Sequence, residues 1–290
     1  MQIIYHLGAH FTDENRLLKC LLANRDLLVA EGVAVPEPKL YRGPLRDLAV
    51  KLKGKAAKPE QQQDLLDQVL VGESAERVVF SWDSFLSLPP WILRETLYPA
   101  AGERVRAFSQ IFDGYDTQFF MALRNPATFL PLLYQLNKPD SYDAFLAGSD
   151  PYELRWSYVV ARILELNPNV QLTLWCDEDT PLIWPEVLRA VAGLAADQPV
   201  VGENALLAML MSGEGLSRMQ AYMDTRPPAT IEQRRKIVSA FLDKFALPER
   251  IDFNIEMPEW DQEMVDDLTA IYQEDVAKII ASRKVTFIAP

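Results

Sequence analysis

Four short apolar runs along the chain predict β-strands, because β-branched and aromatic residues dominate each of them. They cover residues 2–7, 77–82, 117–123 and 170–175, and a fifth, shorter run follows at 285–288. Most of these runs are followed by a turn and then by apolar residues at helical spacing. Strands that alternate with helices predict an α/β fold with a mostly parallel central sheet of about four to five strands and flanking helices.

Apolar positions three and four residues apart predict helices between and after these strands. The predicted helices cover residues 13–30, 61–71, 91–97, 102–112, 127–136, 142–146, 154–166, 185–194, 204–211, 215–223, 231–245 and 262–281. From residue 203 onward the pattern is almost wholly helical. We therefore expect an α/β core at 1–202 and a helical C-terminal extension at 203–290, packed on the core and ending in a short strand.

Composition narrows the partners that we expect for this chain. Its 290 residues carry 29 basic and 41 acidic side chains, a formal net charge of −12. Long-range repulsion disfavours nucleic acid and anionic membranes as partners. No apolar segment approaches the ~20 residues that span a bilayer, and the start lacks the pattern of a signal peptide, so we expect a cytoplasmic protein. Cys20 and Cys176 are expected to be buried free thiols.

Polar residues follow several of the predicted strands, where the sheet of an α/β protein binds ligands. These segments are Gly8–Asn15, Ser81–Ser84, Arg124–Asn125 and Cys176–Asp179. The first is a glycine turn between a strand and the start of a helix. Free backbone N–H groups and the helix dipole favour an anion at such a turn.

Three of these segments resemble the bacterial sulfotransferase-like proteins of the P-loop superfamily. The opening, from Tyr5 to Thr12, is similar to the family's strand followed by His-hydrophobic-Gly-x-His-Lys-Thr-Gly-Thr-Thr. Arg124-Asn125-Pro126 resembles its Arg-Asp/Asn-Pro element, and the segment from Leu174 to Leu194 resembles its late strand and helix. The resemblance covers residues 1–195 and rests more on the order and spacing of the motifs than on any one of them.

The resemblance implies a P-loop fold and a sulfate donor, 3′-phosphoadenosine 5′-phosphosulfate. The residues that it implies in donor binding are Gly8, Ala9, His10, Thr12, Asn15 and Arg124. Several family residues are replaced here. Phe11 stands at the position of the family's lysine, Asp13-Glu14-Asn15 at that of Gly-Thr-Thr, and Leu132 at that of a phosphate-binding serine.

These replacements are unfavourable for a phosphate at the loop. Phe11 carries no charge to stabilise a departing phosphate, and the Asp13 carboxylate can cap the helix whose amides a phosphate would use. Glu14 adds a second negative charge. At ~4 Å and an effective dielectric constant near 20, each like-charge contact costs about 4 kcal/mol before screening. A lysine from residues 51–58 reaching over the loop would compensate.

Two residues are candidates for acid–base chemistry. His10 is a candidate general base. Asp83 is a candidate acid, base or ligand, and the alternative is that Asp83 or Ser84 caps a helix. Arg124 is interpreted either as an anion-binding residue or as the partner of Asp83 or Asp177 in a buried ion pair.

We do not expect a metal site. His6 and His10 span a strand and a turn rather than one helix face, and His6 alternates with apolar residues as a core residue does. The carboxylates of residues 177–179 would need oxygen ligands from elsewhere to hold Mg²⁺.

Two functional hypotheses remain open. The first is a diverged sulfotransferase-like enzyme that transfers a sulfuryl group to an unknown small-molecule or macromolecular acceptor. The second is a non-catalytic binding or scaffold protein that keeps the fold, in which the acidic helix near the C-terminus could contact a partner. A lysine that reaches the loop would favour the first, and an Asp13 carboxylate that caps its own helix would favour the second.

Overall fold

The central element of the fold is a six-stranded parallel sheet. The structure is a computed structural model and describes residues 1–251 and 257–290. The strands are β1 (Gln2–His6), β2 (Val33–Ala34), β3 (Arg77–Ser81), β4 (Leu93–Arg94), β5 (Thr96–Leu97), β6 (Asp116–Leu123), β7 (Gln171–Cys176) and β8 (Thr286–Phe287). Their order in the main sheet is β2-β3-β1-β6-β7-β8, and β4 and β5 form a separate two-stranded hairpin. The predicted α/β class is confirmed.

Helices cover both faces of this sheet, as a parallel sheet requires. They are α1 (Arg16–Ala23), α2 (Arg25–Ala30), α3 (Pro38–Leu52), α4 (Pro59–Leu70), α5 (Ala101–Ser109), α6 (Pro126–Asn137), α7 (Tyr142–Leu146), α8 (Trp156–Leu166), α9 (Thr180–Ala192), α10 (Leu207–Leu210), α11 (Gly213–Thr225), α12 (Ile231–Phe245), α13 (Pro248–Ile251) and α14 (Gln262–Ser282). Short 3₁₀ turns connect several of them.

Side chains of the strands alternate between two apolar layers, since successive residues of a strand point to opposite faces. Tyr5 and Phe80 belong to the larger layer, which α3, α5, α6 and α8 cover. Ile4 and Val79 belong to the smaller layer, which α1 and α9 cover. His6 shares its face with Ile4, and its ring stacks on Trp175 of the smaller layer.

The C-terminal segment is joined to the sheet and to the core helices. β8 pairs in parallel with β7 at the edge of the sheet, and α14 packs against α6 and α8. The buried carboxylate of Asp275 on α14 accepts hydrogen bonds from the Ser157 backbone N–H, at 2.9 Å, and from the Ser157 hydroxyl. It therefore caps the N-terminus of α8. The division at residue 202 stays a prediction.

Several predicted helices differ from the structure. The helix predicted at 185–194 begins earlier, at Thr180, and the one predicted at 204–211 begins later, at Leu207. The helix predicted at 91–97 is wrong: a 3₁₀ turn at Pro89–Trp91 leads into the β4–β5 hairpin, whose turn residue Glu95 has a left-handed φ of 55°. The helix predicted at 13–30 begins at Arg16 and divides at Asn24. There the Asn24 side chain bonds the backbone N–H and carbonyl of Val201, at 2.7 and 2.8 Å.

Neither cysteine belongs to a disulfide, and both are buried, as predicted. Burial raises the pKa of the Cys176 thiol to about 12, so it stays protonated at neutral pH. Within residues 1–251 and 257–290, none of the helices combines the length and the apolar character that crossing a bilayer requires.

Candidate functional site

The loop of residues 7–15 follows β1, where the order of the sheet changes direction. The chain builds β2 and β3 on one side of β1 and β6, β7 and β8 on the other. A crevice beyond the carboxyl ends of the strands is expected at such a point. Backbone hydrogen bonds hold the loop to β6: Leu7 N–H to Phe120 O, at 2.8 Å, and Ala122 N–H to Gly8 O, at 2.6 Å.

Gly8 occupies a position that other residues cannot take without strain. Its φ is +93°, and an added Cβ would lie 3.2 Å from both the Asp83 Cα and the His10 backbone nitrogen. The loop thus passes close to the segment after β3 because residue 8 has no side chain. Further along, the Thr12 hydroxyl donates to Ala9 O at 2.8 Å, which closes a tight turn.

The Asp13 side chain caps the first helix, as predicted from the sequence. Asp13 Oδ2 accepts the Leu17 backbone N–H at 2.8 Å, and Asp13 O accepts the Arg16 N–H at 2.8 Å. The next two residues, Glu14 and Asn15, have left-handed φ angles of 48° and 61°. The Asp13 carboxylate therefore already occupies one of the free backbone N–H groups in the first turn of α1, that of Leu17.

A small cavity of about 260 Å³ lies between this loop and the end of β3. Three carboxylate residues, Asp13, Glu14 and Asp83, line it together with His6 and Ser81. No lysine or arginine is among the described residues that line it. Of the residues that the resemblance implies in donor binding, Ala9, Thr12 and Asn15 line this cavity, whereas Gly8, His10 and Arg124 do not.

His6 is a buried histidine among the residues that line this cavity. It pairs with Ser81 across β1 and β3, and its Nδ1 lies 2.9 Å from Ser81 Oγ. The ring stacks on Trp175 with centroids 6.0 Å apart. Its Nε2 is buried and has no hydrogen-bond partner among the described residues. An unsatisfied buried polar atom costs about 1–3 kcal/mol, so the unpartnered nitrogen is notable.

His10, the candidate base, is a buried residue of this loop. Its Nδ1 is 2.8 Å from the hydroxyl of Tyr98, a residue that the sequence analysis did not identify. Burial lowers the pKa of both His10 and His6, and the Asp83 carboxylate acts in the opposite direction on each. His10 Nε2, like His6 Nε2, has no partner in the described part of the chain. Both imidazoles are therefore favoured in the neutral form near neutral pH.

Asp83 begins a short 3₁₀ turn directly after β3 and is half-buried. The capping interpretation of Asp83 and Ser84 is wrong, since no side chain caps this turn. Instead Asp83 Oδ1 accepts the Ser84 hydroxyl at 3.2 Å. The Asp83 carboxylate thus belongs to the cavity wall, and its role as acid, base or ligand stays a prediction.

Arg124 is buried and bonded within the protein. Its guanidinium donates to Phe11 O and to Thr128 Oγ1, the latter at 3.0 Å, and its Nη1 lies 3.4 Å from Asp177 Oδ2. Burial raises the pKa of Asp177, and the Arg124 charge partly offsets that effect. Of the two interpretations of Arg124, the structure shows the ion pair with Asp177. This arginine fixes the β1 loop against the end of β7.

None of the lysines in residues 51–58 lines the loop cavity, so the structure does not show the compensation that one of them would provide. The backbone N–H of Ala57 bonds Gln110 O, just before the start of β6. The basic residue nearest the loop from this region is Arg42 at the other end of α3. Its Nη2 bonds Asn15 Oδ1 at 3.1 Å and Ser81 O at 3.0 Å.

The acidic residues after β7 connect the site to α14. Glu178 Oε1 accepts the Asn125 N–H at 2.7 Å, and Glu178 Oε2 accepts the Tyr272 hydroxyl at 2.9 Å. Glu178 therefore bonds to the protein rather than to solvent alone. Across the described ranges, the structure forms no group of three histidine, cysteine, aspartate or glutamate side chains that could hold a metal ion.

The fold defines a parallel α/β protein, and it has a counterpart among solved structures. No protein-family model matches the chain, and no curated protein does. Among solved structures, the chain is similar to the sulfotransferase domain from the Synechococcus PCC 7002 olefin synthase, with 14% sequence identity. The match covers 93% of this chain and 94% of that domain, with a TM-score of 0.40.

Proposed function

We propose that this chain is a diverged sulfotransferase-like protein that binds a ligand at the β1 loop and does not transfer sulfuryl groups from 3′-phosphoadenosine 5′-phosphosulfate. The relationship is supported by the order of the motifs, from Tyr5–Thr12 to Arg124-Asn125-Pro126, and by their positions after β1 and β6. The loss of donor binding is supported by the site itself.

The observation that carries the proposal is the cap on α1. A phosphate at this loop would use the free N–H groups of the first helical turn. The Asp13 carboxylate accepts one of them, from Leu17, at 2.8 Å. A phosphate there would have to displace that carboxylate or approach it, and Glu14 adds a second negative charge to the same cavity.

Arg124 and the size of the cavity support the same conclusion. The guanidinium is only 6% exposed and contacts Phe11 O, Thr128 and Asp177, so donor binding would require the loss of these contacts. The cavity volume of about 260 Å³ is below the ~300–1,000 Å³ of ordinary ligand pockets. These residues do not fit a phosphosulfate nucleotide.

Calorimetric titration with 3′-phosphoadenosine 5′-phosphate tests this proposal. We expect no detectable heat at millimolar ligand, either for the wild-type protein or for Asp13→Asn, which removes a charge and retains a capping side chain. Micromolar binding by the wild-type protein would contradict the proposal and favour the enzyme hypothesis. Loss of that binding in Arg124→Ala, with the fold checked by circular dichroism, would then locate the ligand at the β1 loop.

A further inference from the structure

A groove of about 570 Å³ lies between α8 and α14, away from the β1 loop. Four of its residues on α8, at positions 157, 160, 161 and 164, form one face of that helix. Val170, just before β7, and Lys284, just before β8, also line it. The groove therefore lies at the amino ends of these two strands, whereas the β1 loop follows the carboxyl end of β1. Its volume is within the ~300–1,000 Å³ of ordinary ligand pockets.

The inner surface of this groove is aliphatic. Val160 on α8 and Ile279 on α14 line it and are almost fully buried, at 5% and 3% exposure. Leu164 and Val170 also line it and are half-buried. These side chains carry no hydrogen-bonding group, so a ligand gains free energy here by covering them with an apolar part of its own.

Two lysines and one glutamate supply the charges of the groove. Lys278, Lys284 and Glu165 line it and are exposed. None of the three forms an ion pair within residues 1–251 and 257–290, and Glu274, four residues before Lys278 on α14, is outside the lining. Two ammonium groups against one carboxylate leave a single positive charge at the groove, in a chain whose net charge is −12. The groove therefore complements a monoanion.

The serine hydroxyls of the lining are already engaged within the protein. Ser157 donates its hydroxyl to the buried Asp275 carboxylate, and Ser282 donates its hydroxyl to Ile279 O at 2.7 Å. The lysine ammonium groups are therefore the donors that remain for a ligand among the charged side chains of the lining. A carboxylate matches them, because its two oxygens only accept hydrogen bonds and bonds between ionised groups are the stronger ones.

We propose that this groove binds a small aliphatic carboxylate, whose chain covers Val160 and Ile279 and whose carboxylate pairs with Lys278 and Lys284. The observation that carries the proposal is the complementarity of one positive charge beside a buried aliphatic surface. The site is separate from the β1 loop, so the proposal does not depend on the proposed function.

Calorimetric titration with sodium octanoate at constant ionic strength tests this assignment. We expect saturable binding in the low-millimolar range or tighter. The double variant Lys278→Gln, Lys284→Gln should weaken binding by about tenfold, whereas Glu165→Gln, which removes the opposing charge, should strengthen it by about threefold. Lys19→Gln, the same change at an exposed residue of α1, should leave the affinity unaltered.

Two further ligands separate the contribution of charge from that of the aliphatic chain. The n-octylammonium ion has the same chain with the opposite charge, and butyrate has the same charge with a shorter chain, so each should bind at least about tenfold more weakly than octanoate. Ala161→Phe, which places a large side chain in the groove, should abolish binding, and Ala240→Phe on exposed α12 is its control, with both folds checked by circular dichroism.

Three results would overturn the assignment: octanoate that does not saturate, n-octylammonium that binds equally well, or a loss of affinity in Lys19→Gln that equals the loss in the double variant. Equal binding by Ala161→Phe and the wild-type protein would place the ligand elsewhere and would overturn it as well.

Discussion

Acidification should destabilise this protein through its two buried histidines, which are the only histidines in the chain. Burial lowers the pKa of His6 and of His10 in the folded state, and nearby carboxylates offset that effect only in part. In the unfolded chain each imidazole titrates near its ordinary value of about 6.5. The unfolded state therefore binds more protons as the pH falls, which shifts the equilibrium towards unfolding.

The expected loss of unfolding free energy depends on how far the pH falls below the histidine pKa of the unfolded chain. The stabilisation from a neutral buried histidine is fully present above pH ~6.5 and is lost as the pH falls through the folded-state pKa. At pH ~5.5 each histidine that stays neutral in the fold lowers the free energy of unfolding by up to about 1.4 kcal/mol, and the two together by up to about 3 kcal/mol. Asp177 opposes this trend, because burial raises its pKa and its protonation then favours the folded state.

Two measurements separate these contributions. Proton NMR of the folded protein should show two imidazole signals, assigned with His6→Gln and His10→Gln, whose midpoints lie below the value of about 6.5. Urea unfolding at pH ~7.5 and ~5.5 should show a smaller acid-induced loss of stability in each variant than in the wild-type protein. Imidazole midpoints at or above the ordinary value would refute the reasoning, as would variants with the same acid sensitivity as the wild type.

Two substitutions test the packing of the fold. Gly102→Ala should lower the free energy of unfolding, measured in urea, by about 1–3 kcal/mol. The reason is that the added Cβ would lie 2.4 Å from Arg162 O on α8. A gain in stability, as expected for alanine at an exposed helix position, would contradict this contact. Asp275→Asn should cost about 1.5–3 kcal/mol in the same assay, since the buried carboxylate accepts two hydrogen bonds from Ser157. Exposed Glu274→Gln is its control, and an equal loss there would show that charge rather than the cap is responsible.

The sequence predicted the parts of the fold that depend on local patterns. Residues 2–7 and 77–82 are rich in β-branched and aromatic side chains, and they form neighbouring central strands. The Asp13 cap was likewise predictable, because its donor lies four residues away in the chain. The helix expected at 91–97 failed because the left-handed Glu95 turn depends on tertiary contacts, including its N–H bond to Ala147 O.

The composition of the site depends on contacts between distant residues, which local patterns do not contain. Tyr98 reaches His10 across 88 positions, and Arg42 reaches Asn15 across 27. Nothing in the sequence indicated that α3 would direct Arg42 rather than Lys51 towards the loop. The sequence identified Arg124 as a candidate site residue. That Asp177 is its ion-pair partner follows from the pairing of β7 with β6, which the local sequence pattern does not contain.

The Asp275 cap and the β8 strand also affect the order in which the protein matures during synthesis. The N-terminus of α8 and the outer edge of β7 are made more than 100 residues before their partners on α14 and β8. Until translation reaches these partners, the emerging chain has uncapped amides and an open strand edge, both of which promote association with other chains. The synthesis of α14 and β8 therefore closes the surface that a nascent chain would otherwise expose.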